Sequence, residues 1–147
     1  MQNHIDQASH NQNFHSCIQG QFATNFFDWK ITVLFYIALH GLKALASKRG
    51  IDIGETHIDI ERNVSPLRNS PIMAISKNAW NEYKSLFRYS QVARYEGITD
   101  FETFQKLKES DHGFCVLHLD KFKKYLKGQG VDLDLIPVIE QSPEQPD

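Results

Sequence analysis

Apolar residues recur along this chain at helical spacing and divide it into five helical segments, with no convincing strand. The first covers roughly residues 8–19, where Phe14, Cys17 and Ile18 share a face and Gly20 supplies a stop. The second starts near Asn25, a good cap residue, and runs to Arg49, where Gly50 ends it. At about 25 residues and 1.5 Å of rise each, it would be close to 37 Å long, the backbone of the domain. A short third helix spans Thr56 to Val64, and Pro66 and Pro71 then mark a loop.

The fourth helix runs from about Lys77 to Glu96 and closes at Gly97. Thr99 to Glu102, "TDFE", is a capping-box pattern that opens a short segment toward Lys108. The fifth long helix runs from about Asp111 to Lys127 on a stripe of Cys115, Leu119, Phe122 and Leu126, and Gly128 and Gly130 end it. "VDLDLIPVI" is placed to lay its leucines against the bundle, and "EQSPEQPD" has the composition of a disordered tail. The expected architecture is all-α, an up-and-down helical bundle over residues 1–128 with a partly disordered polar tail at 129–147.

Length and composition narrow the field. A chain of 147 residues that is 41% hydrophobic and 23% charged can bury one proper core. Its net charge of −2 offers no bulk attraction to nucleic acid, so any RNA contact must come from a local patch. Cys17 and Cys115 read as reduced thiols packed as small hydrophobes, and the polar start "MQNHIDQASHNQN" lacks the pattern of a signal peptide. The longest apolar run, Ile31 to Leu39, is short of the roughly 20 residues a membrane span needs. A cytoplasmic location without membrane partners is therefore expected.

On a wheel of about 100° per residue, Trp29, Val33, Tyr36, His40 and Lys43 fall on one narrow stripe of the second helix. That stripe turns polar toward its end, stacking a phenol, an imidazole and an ammonium a turn apart. His40 is either a hydrogen-bonded packing histidine or part of a site. In the fourth helix Tyr83, Phe87, Ser90 and Arg94 share a stripe, and Arg94 needs a partner: Glu61, Glu96 or a phosphate. "THIDIER" puts His57 and Arg62 at a helix start, where unbonded N–H groups favour anions, although an exposed charged helix has the same pattern. His4, His10 and His15 are spaced by six and five, which points them to different faces, and no ligand set completes them. No metal or other cofactor is expected.

"FYIALHGLKALASKRGIDIGETHIDIERN", Phe35 to Asn63, resembles the second-helix signature of the HEPN superfamily (higher eukaryotes and prokaryotes nucleotide-binding domains). The resemblance runs through Phe35, Tyr36, Ala38, His40, Lys43, Ala44, Leu45, Gly50, Thr56 and His57. "LFRYSQVARYEGITDFETFQKL" resembles the family's arginine–tyrosine segment, and the last helix through Phe122 and Leu126 resembles its closing helix. The match covers about Phe14 to Leu126. It implies a helical bundle, usually a homodimer, with functional residues in the cleft between subunits. Many members are metal-independent ribonucleases of toxin–antitoxin, abortive-infection or CRISPR-associated systems; others accompany minimal nucleotidyltransferases and bind nucleotides or serve as partner subunits.

The nucleolytic branch carries an Arg, four to six residues, then a His, and none of Arg49, Arg62, Arg68, Arg88 and Arg94 is followed by His in that window. The expected function is thus RNA or nucleotide binding in a dimer cleft through Tyr36, His40, Lys43, His57, Arg62, Arg94 and Tyr95. Two alternatives accompany it. One is a non-catalytic subunit paired with a nucleotidyltransferase or antitoxin. The other is a metal-independent ribonuclease whose site, built from His40, His57 and Arg94, departs from the family motif.

Overall fold

A computed structural model describes residues 1–95 and 101–134, apart from the side chains of 94–95 and 101–104. Within it are five helices: α1 (Gln2–Gln21), α2 (Phe27–Lys48), α3 (His57–Val64), α4 (Lys77–Tyr95) and α5 (Phe101–Gly128). No strand occurs among the described residues. Contacts fix the directions. His4 meets His40 while Lys30 reaches Phe22, so α1 and α2 are antiparallel. Phe27 and Gly41 lie beside His112 and Leu126, so α5 runs with α2. Glu82 and Tyr89 face His118 and Phe114, so α4 runs against α5. The long helices therefore alternate up and down, and α3 is a short insertion between α2 and α4.

α2 is the hub, packed against α1, α4 and α5. Ile31, Leu34, Phe35, Ile37, Ala38, Leu42 and Leu45 are each no more than 3% exposed, and they meet Tyr83, Leu86, Phe122 and Leu126 in one core. Gly41 permits this closeness: a Cβ there would sit 2.6 Å from Leu126 Cδ1 and 3.0 Å from Leu133 Cδ1. By length and composition α2 could cross a membrane, but 67% of its most apolar window is buried inside the bundle, the behaviour of a core helix.

The ends of α2 and α5 follow one rule. Gly50 has φ +68°, Ile51 N–H donates to Ala46 O and Gly50 N–H to Ser47 O. Gly130 repeats it with φ +90°, Val131 N–H on Leu126 O and Gly130 N–H on Lys127 O. This is the Schellman motif, in which glycine takes the left-handed conformation and the next residue packs back on the helix. Val131 and Leu133 are accordingly buried in the core, as expected for the start of "VDLDLIPVI"; residues 135–147 lie outside the described residues.

Several boundaries differ from expectation. The cap of α2 is Phe26 at φ 62°, without a side-chain bond, and not Asn25. α1 starts at Gln2 instead of near residue 8, and the expected break between Lys108 and Asp111 is continuous helix. There the Lys108 side chain, 1% exposed, bonds the partly exposed Asp111 at 3.3 Å, so a buried lysine with a polar partner holds a turn that apolar spacing does not mark. Cys115 is buried, which pushes its thiol up to about 12, whereas Cys17 is exposed and not packed as expected.

Candidate functional site

The stripe predicted on α2 is its one uncovered face. Trp29 is 60% exposed and Tyr36 38%, while Val33, His40 and Lys43 are partly covered, His40 by α1 and Lys43 by the 51–56 loop. His40 turns to α1: its Nδ1 lies 3.1 Å from His4 Nδ1 with the rings stacked at 5.3 Å. One Nδ1 must carry the proton and the other accept it, so in the neutral pair the donor ring keeps a free lone pair on its Nε2. Burial, then the neighbouring His4 and Lys43, lower the His40 pKa from its ordinary 6.5. Lys43 pairs with Glu55 at 3.3 Å. The adjoining cleft of about 440 Å³ sets His4 and Lys43 against Asp52 and Glu55, a mixed lining that does not select for an anion.

His57 keeps different company. Its ring contacts Phe87, centroids 3.5 Å apart, and Phe35 at 5.3 Å, and Phe35 in turn contacts Tyr36. The α3 start that brings His57 there is closed by a capping box. Thr56 Oγ1 accepts from Asp59 N–H at 3.1 Å, and the Asp59 carboxylate accepts from Thr56 N–H at 3.5 Å. Asp59 also accepts from Arg62 at 2.8 Å, and these bonds hold its carboxyl below the ordinary 3.8. An anion at this helix start would have to displace Asp59. His57 opens α3, whereas Arg62 lies in its last turn, and the cap occupies the Thr56 and Asp59 N–H groups.

One partner expected for Arg94, Glu61, is already engaged. Glu61 accepts from Lys84 and Arg68, each at 2.8 Å, and those two bonds pull its carboxyl down to about 2. Arg94 and Tyr95 close α4, and their side chains, like Glu96, lie outside the described residues, as does Thr99 of the capping box. Among the described candidates, then, Tyr36, His40 and Lys43 form one continuous stripe. His57 joins Tyr36 through Phe35, and Arg62 points away in its own ion pair.

No family model, curated protein or solved structure matches this chain. Its chemistry is therefore read from its own contacts.

Those contacts include His112 and Lys30, which sequence reasoning passed over. His15 Nε2 lies 2.9 Å from His112 Nε2, a second histidine pair that ties α1 to α5. Burial, then His15 and Lys30, push the His112 imidazole down to about 4. Lys30 itself is fully buried, its ammonium on Phe22 O and 4.4 Å over the Phe27 ring. His4 and His15 do not face apart as their separate spacings to His10 suggest. They are eleven residues apart in one helix, about three turns, so both look into the bundle while His10 is exposed. That spacing was the available signal. Among the described residues no three His, Cys, Asp or Glu side chains gather as a metal set.

Proposed function

We propose that this chain is a HEPN-like helical module that binds RNA or nucleotide, acting as a cytoplasmic homodimer in a toxin–antitoxin or phage-defence setting. What supports this is the uncovered α2 stripe: two exposed aromatic faces, Trp29 and Tyr36, followed by an imidazole and an ammonium on the same line. Bases stack on exposed aromatic rings with little sequence preference, and Lys43 stands where a backbone phosphate would pass if Glu55, 87% exposed, released it. The histidine pair is consistent with the ribonuclease alternative, because a His40 or His4 ring with a bare nitrogen can take a proton from a 2′-hydroxyl without metal.

The experiment is titration of labelled single-stranded RNA and of mononucleotides into the wild type and into Trp29→Ala, Tyr36→Ala and Lys43→Ala. Affinity should fall in all three and should decline with salt at roughly one unit per phosphate contact or less. A steep slope would point to an extended basic surface and away from the stripe. The partner-subunit reading draws on the same aromatics, since an exposed Trp29 and Tyr36 on a hub helix also suit a protein interface. Absence of RNA and nucleotide binding, together with Trp29-dependent association, would favour it.

A further inference from the structure

Positive charge in this molecule collects where the sequence did not suggest it. Ser65 and Pro66 follow α3, and the turn they open closes with Arg68 N–H on Ser65 O at 3.2 Å and Leu67 N–H on Ser65 Oγ at 3.2 Å. Proline at the second position of such a turn presets its backbone, and here the turn throws Arg68 back over Glu61. Lys84 and Arg88 stand one turn apart on α4 and face the same cleft. The cleft is about 400 Å³, and Ser65, Asn81 and Ser85 add neutral hydrogen-bonding groups to its wall.

We propose that this cleft between α3, the Ser65–Arg68 turn and α4 binds a phosphate group through Arg68, Lys84 and Arg88. Three cations line it around the single carboxylate of Glu61, an excess of two positive charges in a chain whose net charge is −2. Like charges one helical turn apart repel, so Lys84 and Arg88 are held together at a cost that an anion between them would remove. Glu61 satisfies Lys84 and Arg68, while no carboxylate pairs with Arg88 among the described residues. Guanidinium forks at two edges and an ammonium at the third match the oxygens of a tetrahedral phosphate.

Glu61 acts in this site as an internal competitor. It occupies Arg68 and Lys84 when the cleft is empty, and an entering phosphate takes over the exposed Arg68, whose side chain is 54% accessible, while Lys84, with three N–H donors, serves the carboxylate and the phosphate together. The RNA reading bears only on what carries the phosphate, a nucleotide, an RNA end or free phosphate. The Lys84 ammonium lies 5.7 Å from the Phe87 ring, which touches His57, so the cleft adjoins the aromatic cluster that continues through Phe35 to Tyr36.

The test is calorimetric titration, at constant ionic strength, with inorganic phosphate, pyrophosphate, adenosine monophosphate and adenosine. Saturable binding of the phosphate-bearing probes should weaken by about tenfold or more in Arg68→Ala and in Arg88→Ala. Both side chains are exposed, so thermal midpoints should stay near wild type. Glu61→Gln should bind phosphate more tightly, because the competing charge is gone; a merely structural ion pair would not give that gain. Equal affinity for phosphate and the monophosphate assigns the site to the free anion, and a much tighter monophosphate assigns it to a nucleotide. No saturable binding of any phosphate probe overturns the proposal, as does binding that Arg88→Ala and Glu61→Gln leave unmoved, or adenosine binding as well as its monophosphate. Phosphate binding that persists in a protein with no affinity for RNA upholds this site and sinks the RNA reading. RNA binding lost in Tyr36→Ala and indifferent to Arg88→Ala, in a protein that binds no phosphate probe, does the reverse.

Discussion

α1 and α2 lie side by side and antiparallel, yet they are held by opposite means. α2 is buried on every side but one, and the contacts it makes in the core are apolar. α1 is polar nearly all round and buries only Ile5, Ala8 and Ser9. Its remaining attachments are hydrogen bonds: His4 to His40, His15 to His112, Gln12 to Leu133 O at 3.3 Å and to Lys123 at 2.7 Å. A polar helix of 20 residues is marginal alone in water, so α1 is helical because of what it docks on. The contrast teaches where the molecule can open. Apolar burial does not titrate; histidine pairs do. α1 belongs to the low-stability end of the fold and α2 to its global core.

The largest effect should come from the hub. Phe35 is 2% exposed and touches Tyr83, Phe87 and His57, so Phe35→Ala should cost about 3–5 kcal/mol in denaturant unfolding. On α1, Ile5→Ala removes a smaller side chain beside a more polar helix and should cost closer to 2 kcal/mol, about the low end for such truncations. If Ile5→Ala were as damaging as Phe35→Ala, the two helices would be equal partners in one core and the comparison would fail.

The same contrast explains what the sequence made legible. α2, α3 and α4 announced themselves because their apolar faces, glycine stop and Thr56 cap are local signals. The polar stripe from Trp29 to Lys43 was visible on the wheel for the same reason and is the uncovered face of α2. α1 was read short because its inward face is built of His4, Ser9, Gln12 and His15, which carry no hydrophobic period. The junction at Lys108 reads as a break because a buried lysine paired to an aspartate has the sequence of a surface loop. The cationic cleft was invisible: Glu61, Arg68 and Lys84 come together through a turn and across two helices, and no spacing in the chain encodes that. The family resemblance directed attention to His40 and His57, but their actual partners, His4 and Phe87, are set by tertiary packing.

Acid should separate the two helices next. His4, His15, His40 and His112 all have pKa values below their ordinary 6.5 in the folded protein, His112 down to about 4, each mainly through burial. The unfolded chain therefore binds more protons than the folded one between 6.5 and those lowered values. Stability from these groups is complete above 6.5 and is lost as pH falls toward 4. Protonation also sets each pair against a cation: Lys43 beside His4 and His40, opposed by Glu55, and the buried Lys30 beside His15 and His112. The thermal midpoint should drop on the order of 5 °C between neutral and mildly acidic buffer. Amide exchange should rise in α1 well before α2. His112→Gln should flatten the profile, and uniform loss of protection across both helices would mean that α1 is no separate unit.

The smallest effects belong to the uncovered stripe, and they test whether that face is free. In an isolated chain Trp29→Ala should change stability by no more than about 0.5 kcal/mol, because a side chain 60% exposed has little packing to lose. Lys43→Ala should cost between about 0 and 1 kcal/mol, since its partner Glu55 is 87% exposed and the pair is screened. His40→Ala leaves His4 without its ring partner and should cost about 1 kcal/mol, between a surface change and a core one. These magnitudes hold only where no second chain lies on the stripe. If a homodimer forms through Trp29 and Tyr36, unfolding should depend on protein concentration, and Trp29→Ala should abolish that dependence and yield a monomer by light scattering. A wild type whose midpoint is constant across a hundredfold range, roughly what linkage needs to show a shift, would leave the stripe open to solvent and to RNA. The dimer would then be the part of the proposed function to abandon.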